Sequence, residues 1–322
     1  MNKKGGGIAS AYFFMRNKGK QEQQLNKPDQ RPVVVQTPPA EESPCVCGNF
    51  RISPVAGGWA ITEYLGFSDK TKLTIPSELD GKRIVEIGAS AFENCKGLQR
   101  VKIGEGITKI AEKAFSGCTH ISACSLPKTL KHIGSQAFGH THALTFIELP
   151  ESLESIGSDC FAFSELETVM LPPGIRVISE GTFFMCSHLK KVELPRNLNE
   201  IGSAAFRECK QLRQIAIPEG TRTIMPLAFS HCFLDKIAIP SSVIRIGRQG
   251  INGAVYGNKT EQEYHWKKFY DATLGDQLNG NPVVYCEAGS LAMSFARWNG
   301  LNCLKYEDYW KEQSVNQQSC VK

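Results

Sequence analysis

The chain has 322 residues, 41% apolar and 21% charged, enough apolar material for a sizeable core, which excludes a wholly disordered or collagen-like polymer. Its formal charge is +5, from 37 Lys and Arg against 32 Asp and Glu; residues 1–50 hold seven basic and four acidic side chains, so the other 272 carry only +2. That near-neutral remainder argues against an extended nucleic-acid face, which needs a concentrated basic stripe, and no apolar run reaches the roughly 20 residues of a membrane span.

From the N-terminus, residues 1–44 have few apolar side chains, a QEQQ run and the pieces TPP and PPA. They are expected to form a disordered, basic and polar tail. The apolar stretch 8–15 behind Lys3 and Lys4 has a faint likeness to a secretory signal. However, Arg16, Lys18 and Lys20 stand where a small-residue cleavage site belongs. On sequence alone the expected compartment is therefore the cytoplasm.

The next two hundred residues are dominated by self-similarity. Aligned on an aromatic, the chain gives Phe92, Phe115, Phe138, Phe161, Phe183, Phe206 and Phe229, separated by 23, 23, 23, 22, 23 and 23 residues. An eighth, degenerate copy puts Ile251 in that place. Five residues before each Phe stands Ile87, Ile110, Ile133, Ile156, Ile178, Ile201 or Ile224, often followed by Gly, as at Gly88, Gly134, Gly157 and Gly202. Three residues after it come Cys95, Cys118, Cys186, Cys209 and Cys232, with Thr141 and Ser164 in the other two copies. A fixed period of this length is the mark of a repeat array.

Each unit reads as a short coil. In LKKVELPRNLNEIGSAAFREC, Leu189, Val192 and Leu194 make an alternating strand, which Pro195 ends because proline cannot donate to a ladder. Leu198 and Ile201 return the chain inward as a second extended segment. Gly202 is read as permitting a turn, and Ala204, Ala205 and Phe206 as a helical or 3₁₀ corner. One coil cannot bury its own apolar side, so neighbours must stack Leu on Leu, Ile on Ile and Phe on Phe. The cysteine column is read the same way, as small buried and mostly reduced thiols, with a mild lean toward a reducing compartment.

The pattern L-P-x-x-L-x-x-I-G-x-x-A-F-x-x-C, present as LPKTLKHIGSQAFGHT and IPEGTRTIMPLAFSHC, resembles the BspA-like class of leucine-rich repeats over roughly 45–305. The resemblance implies a β-rich solenoid with short helical or 3₁₀ corners, repeats of about 23 residues and caps at both ends. It assigns 45–88 to an N-terminal β-hairpin cap and first half-repeat, with a turn at Asp80-Gly81, and 89–251 to the leucine-rich repeats. Residues 282–305 would be the C-terminal cap, a last strand followed by a short helix and a turn at Gly300. It also implies surface-exposed proteins that bind host or matrix partners.

Two segments depart from that pattern. Residues 252–281 form an insertion whose stretch TEQEYHWKKFYDATL reads as an aromatic helix. Tyr264, Trp266, Phe269 and Tyr270 make it a secondary candidate contact surface. Residues 306–322 are read as a polar, fraying tail.

No catalytic spacing carries weight: there is no H-E-x-x-H, P-loop, G-x-S-x-G or C-x-x-C. Cys45 and Cys47 lack a second pair for a zinc knuckle, and the loop histidines His140 and His142 have no carboxylate or thiol within three residues. Accordingly neither enzyme activity nor a cofactor or metal is expected, and the repeat domain is expected to be monomeric. Function should then lie on exposed strand positions. The candidate face is Arg100, Lys102, Phe146, Glu148, Thr168, Met170, Lys191 and Glu193, with Phe146 and Met170 as apolar anchors in a polar rim. It suits a recognition or adhesion module binding a protein or glycan. The alternative is an intracellular scaffold that docks through the N-terminal tail and the 252–281 insertion.

Overall fold

The computed structural model describes residues 43–66, 71–247, 282–298 and 301–319. The insertion 252–281, with Tyr264, Trp266, Phe269 and Tyr270, and the tail up to residue 42 lie outside them.

The repeats wind into a β-solenoid of about nine turns. Two sides of the coils are short parallel strands, the first side being reduced to a single bridge at Phe146. The first side carries Lys72–Ile75, Arg100–Ile103, Ala123–Ser125, Thr168–Met170, Lys191–Glu193, Gln214–Ala216, Lys236–Ala238, Val283–Cys286 and Cys303–Lys305. The second runs from Lys82–Ile87 through Lys109–Ile110 and His132–Ile133 to Arg245–Ile246. Alternation sorts the side chains: in Arg100–Ile103 the valine and isoleucine point inward and Arg100 and Lys102 outward.

The third side is the corner that carries the Phe column, and its backbone alternates in handedness. In every repeat the second residue after the Ile-Gly pair and the second after the Phe have positive φ, for example Gln136 at 55° and His140 at 59°. Successive i→i+3 bonds close the turns, as from Gly139 N to Gln136 O (3.0 Å). Because handedness alternates, no helix propagates. Instead, in each coil from Ser90 to Glu208, three amides donate to the following coil, as Gln136 to Ser158 O, Phe138 to Cys160 O and His140 to Ala162 O, at 2.8–2.9 Å.

The glycine column serves a different end from the turn expected of it. A Cβ on Gly134 would lie 2.6 Å from the Ala111 carbonyl carbon, and one on Gly157 would lie 2.4 Å from the Ser135 nitrogen. These glycines are needed for backbone-on-backbone approach between coils, and the positive φ falls on their non-glycine neighbours.

The core is a set of axial stacks. The rings of Phe92 through Phe229 are fully buried and follow one another at 5.0–5.8 Å with interplanar angles of 4–12°. Tyr64, from the N-terminal meander of Cys45–Cys47, Phe50–Val55 and Gly58–Tyr64, stacks on Phe92 at 5.3 Å and closes the aromatic column. Beside it the cysteine thiols donate backwards to the previous coil: Cys118 Sγ to Phe92 O at 3.0 Å, Cys186 to Phe161 O at 3.1 Å and Cys232 to Phe206 O at 3.0 Å. Burial pushes the Cys118, Cys124 and Cys186 thiols up to about 12. They stay protonated and do not act as nucleophiles at neutral pH.

At the C-terminal end, Val283–Cys286 continues the first side and leads into helix α1 (Leu291–Trp298), whose N-cap Ser290 accepts from the Met293 amide at 3.1 Å. A disulfide joins Cys286 to Cys303; nine other cysteines among the described residues are free. The expectation of a fraying tail after residue 305 is corrected. Tyr306–Ser319 is a helix, α2, and Tyr306 and Tyr309 are buried. Spacing of i, i+3 puts both rings on one stripe, which a reading based on overall polarity overlooks.

Candidate binding face

The outward positions of the first side are determined by the inward ones. Val101, Ile147, Val169 and Ile215 sit in the core, so their strand neighbours must face solvent. Arg100, Lys102, Glu148, Thr168, Lys191 and Glu193 are all exposed. Phe146 and Met170 keep 59% and 64% of their surface open, a large apolar exposure for a side chain with no partner in the described residues. Phe146 and Thr168 are joined by a parallel bridge, so the two anchors lie on adjacent coils. The charges nearby are mutually compensated: Lys190 pairs with Glu167 at 2.7 Å and Lys191 with Glu193 at 2.5 Å.

Farther along, the same face is covered. Ala238 is buried and Ala216 and Lys236 are half-buried, because α2 lies on them. Tyr306 donates to Ile217 O at 2.9 Å, Gln313 to Gln214 Oε1 at 3.1 Å, and Tyr285 to Glu312 at 2.8 Å. Glu312 also forms an ion pair with Lys236. That contact holds the Glu312 carboxyl below its ordinary range and the Lys236 ammonium above it. Tyr309 packs edge-on against Tyr285 at 5.3 Å, and burial pushes its phenol up to about 12.

Between the open and the covered parts lies a seam that the repeat pattern hides. Lys191–Glu193 pairs with Thr168–Met170, and Gln214–Ala216 with Lys236–Ala238, but no pairing joins Lys191–Glu193 to Gln214–Ala216. At this break Val192 and Leu194 are only half-buried, whereas Val169 and Ile215 at the equivalent of Val192 are fully inside. No sequence signal marks the break, since the 22-residue step falls elsewhere, between Phe161 and Phe183.

The second side carries a sparse basic line, Lys131, His132, Arg176, Arg222 and Arg245, all exposed. It is partly neutralised: Lys131 meets Glu154 at 3.0 Å and Lys109 meets Glu86 at 3.1 Å. At the third corner His140 stacks on Phe163 at 4.4 Å and stands 6.0 Å from His142, so its ring is used in packing. Among the described residues no group of three or more His, Cys, Asp or Glu is placed to hold a metal ion. No helix among them is long and apolar enough to cross a membrane.

The sequence pattern of the BspA type leucine rich repeat region matches in six copies, over residues 66–190 and 133–254. The chain belongs to that family. A leucine-rich repeat protein from T. pallidum is 31% identical over 57% of this chain and 86% of that chain, with a TM-score of 0.54. One from Bacteroides ovatus shares the fold at 24% identity and a TM-score of 0.54, over 62% of this chain and 60% of that one. No curated protein sequence matches. The leucine-rich repeat family marks the BspA-type array as a protein-interaction module.

Proposed function

We propose that this BspA-type array is a non-catalytic recognition module that binds a protein partner through the first-side strand face at Phe146 and Met170, in the manner of an adhesion or docking surface. The observation that carries the reading is the pair of large, open apolar side chains on adjacent coils, flanked by the exposed Glu148, Lys191 and Glu193. An apolar anchor in a polar rim is the anatomy of a protein contact.

The scaffold reading is favoured by one observation, the column of free buried thiols, which suits a reducing compartment. The Cys286–Cys303 disulfide leans the other way. We favour recognition because it rests on a surface rather than on a compartment.

The test places a photo-crosslinking residue at Phe146, at Met170 or, as control, at Arg245 on the second side. Protease-sensitive adducts at the first two positions and none at the third are expected from native cells and their medium. Adducts equally frequent at Arg245 overturn the site, and adducts removed only by glycosidase convert the partner to a glycan.

A further inference from the structure

Helix α2 shows what the strand face accepts. Its stripe Tyr309–Glu312 covers the Lys236–Ala238 and Val283–Cys286 strands, and its stripe Tyr306, Trp310, Gln313 has both ends on the Gln214–Ala216 coil. The helix therefore rides over Lys236–Ala238 with Trp310 on its outer flank, 48% exposed. That flank looks toward the seam, where the strand ladder lapses and Val192 and Leu194, although packed against the core, are only half-buried. Beyond them stands Met170.

The spacings match a second helix. Strands lie about 4.8 Å apart and packed helices about 8–10 Å. A helix beside α2 would thus sit two strands over, on Lys191–Glu193, between Trp310 and Met170. Lys191 opens its strand as Lys236 opens the other, and Lys236 is the residue that Glu312 of α2 engages. An inserted strand does not fit, since its two neighbours would have to stand about 10 Å apart, while coils on either side of the seam remain in contact.

We propose that the partner presents an amphipathic helix with an aromatic stripe and a carboxylate, which docks alongside α2 across the seam, its carboxylate taking Lys191 from Glu193 and its apolar stripe lying between Met170 and Trp310. The proposal rests on the recognition reading above and gives the partner's chemistry. It extends an interface the chain already makes with itself.

The probe is a synthetic peptide of residues 305–319, fluorescently labelled and held helical by a lactam between the outward-facing Glu307 and Lys311. It is titrated into the full chain and followed by anisotropy. Saturable binding is expected, weakened at least tenfold by Met170→Asp and by Lys191→Glu, and unchanged by Arg245→Glu. Both test positions are exposed, and an unchanged thermal midpoint confirms that each variant is folded. No binding up to millimolar peptide overturns the proposal. Binding that ignores Met170→Asp but tightens in Tyr309→Ala also overturns it, because the peptide then merely exchanges with α2. If crosslinks at Met170 capture a partner while the peptide fails to bind, recognition through the face stands and the helical partner does not.

Discussion

At the scale of single residues, the corner imposes two opposite demands on the repeat. The Gly134 site has no room for a Cβ against the Ala111–Glu112 peptide, while Lys113, in the coil before it, holds a left-handed φ of 55° with a full side chain. Gly134→Ala should therefore lower stability by about 2–3 kcal/mol through overpacking. Lys113→Gly should be neutral or raise it by up to about 1 kcal/mol, since relief of left-handed strain is partly offset by the freer unfolded chain. Urea midpoints of the two variants check this, and a larger loss for Lys113→Gly contradicts it. The buried thiols make a second prediction. Burial raises the folded pKa of Cys118, Cys124 and Cys186 to about 12, against about 8.5 unfolded. Above pH 8.5 the unfolded state loses its thiol protons first, so stability is full below that point and falls as pH rises toward 12. Each thiol contributes a slope of up to about 1.4 kcal/mol per pH unit. In Cys118→Ser, Cys186→Ser the denaturation midpoint should fall less steeply over the same window. The repeat columns were legible in the sequence because period alone reveals burial. The left-handed positions were not, because Ser90, Lys113, Gln136 and Leu227 share no side-chain chemistry.

At the scale of elements, helix and strand face meet through few groups, and these carry most of the docking. Tyr309→Ala removes a buried ring from the contact with Tyr285 and should loosen α2 by about 3–4 kcal/mol. Hydrogen exchange should then quicken at 306–319 and leave the amides of the Phe column protected; equal quickening in both would mean that α2 and the array unfold as one unit. The helix was missed because EDYWKEQS reads as solvated, and only the tertiary partner gives Tyr306 and Tyr309 a side to face. The candidate face itself was readable up to Glu193, since outward positions follow from strand alternation. Its closure beyond Gln214 was not, because nothing in the repeat announces a covering element from another part of the chain. The same holds for the seam, which arises from a lapse in pairing and not from a change in motif.

At the scale of the whole array, stability is a sum over neighbouring coils. Phe161, which stacks at 5.8 and 5.7 Å on both sides, lies at the middle of the column. Phe161→Ala should cost about 3–5 kcal/mol and split the melting curve into two transitions, one for each flank. A single sharp transition at lower temperature would show that coupling between coils survives the gap. The corner ladder has a further consequence. In each coil from Ser90 to Glu208 three corner amides point toward the next, so the peptide dipoles of this ladder, each about 3.5 D, add along the axis instead of alternating in sign. The negative pole lies at the first coil, where the Tyr64 amide meets the Ala91 carbonyl at 2.9 Å. The N-terminal meander is thus an electrical plug as well as an apolar lid: the Tyr64 amide meets the carbonyl end of the ladder while its ring covers Phe92.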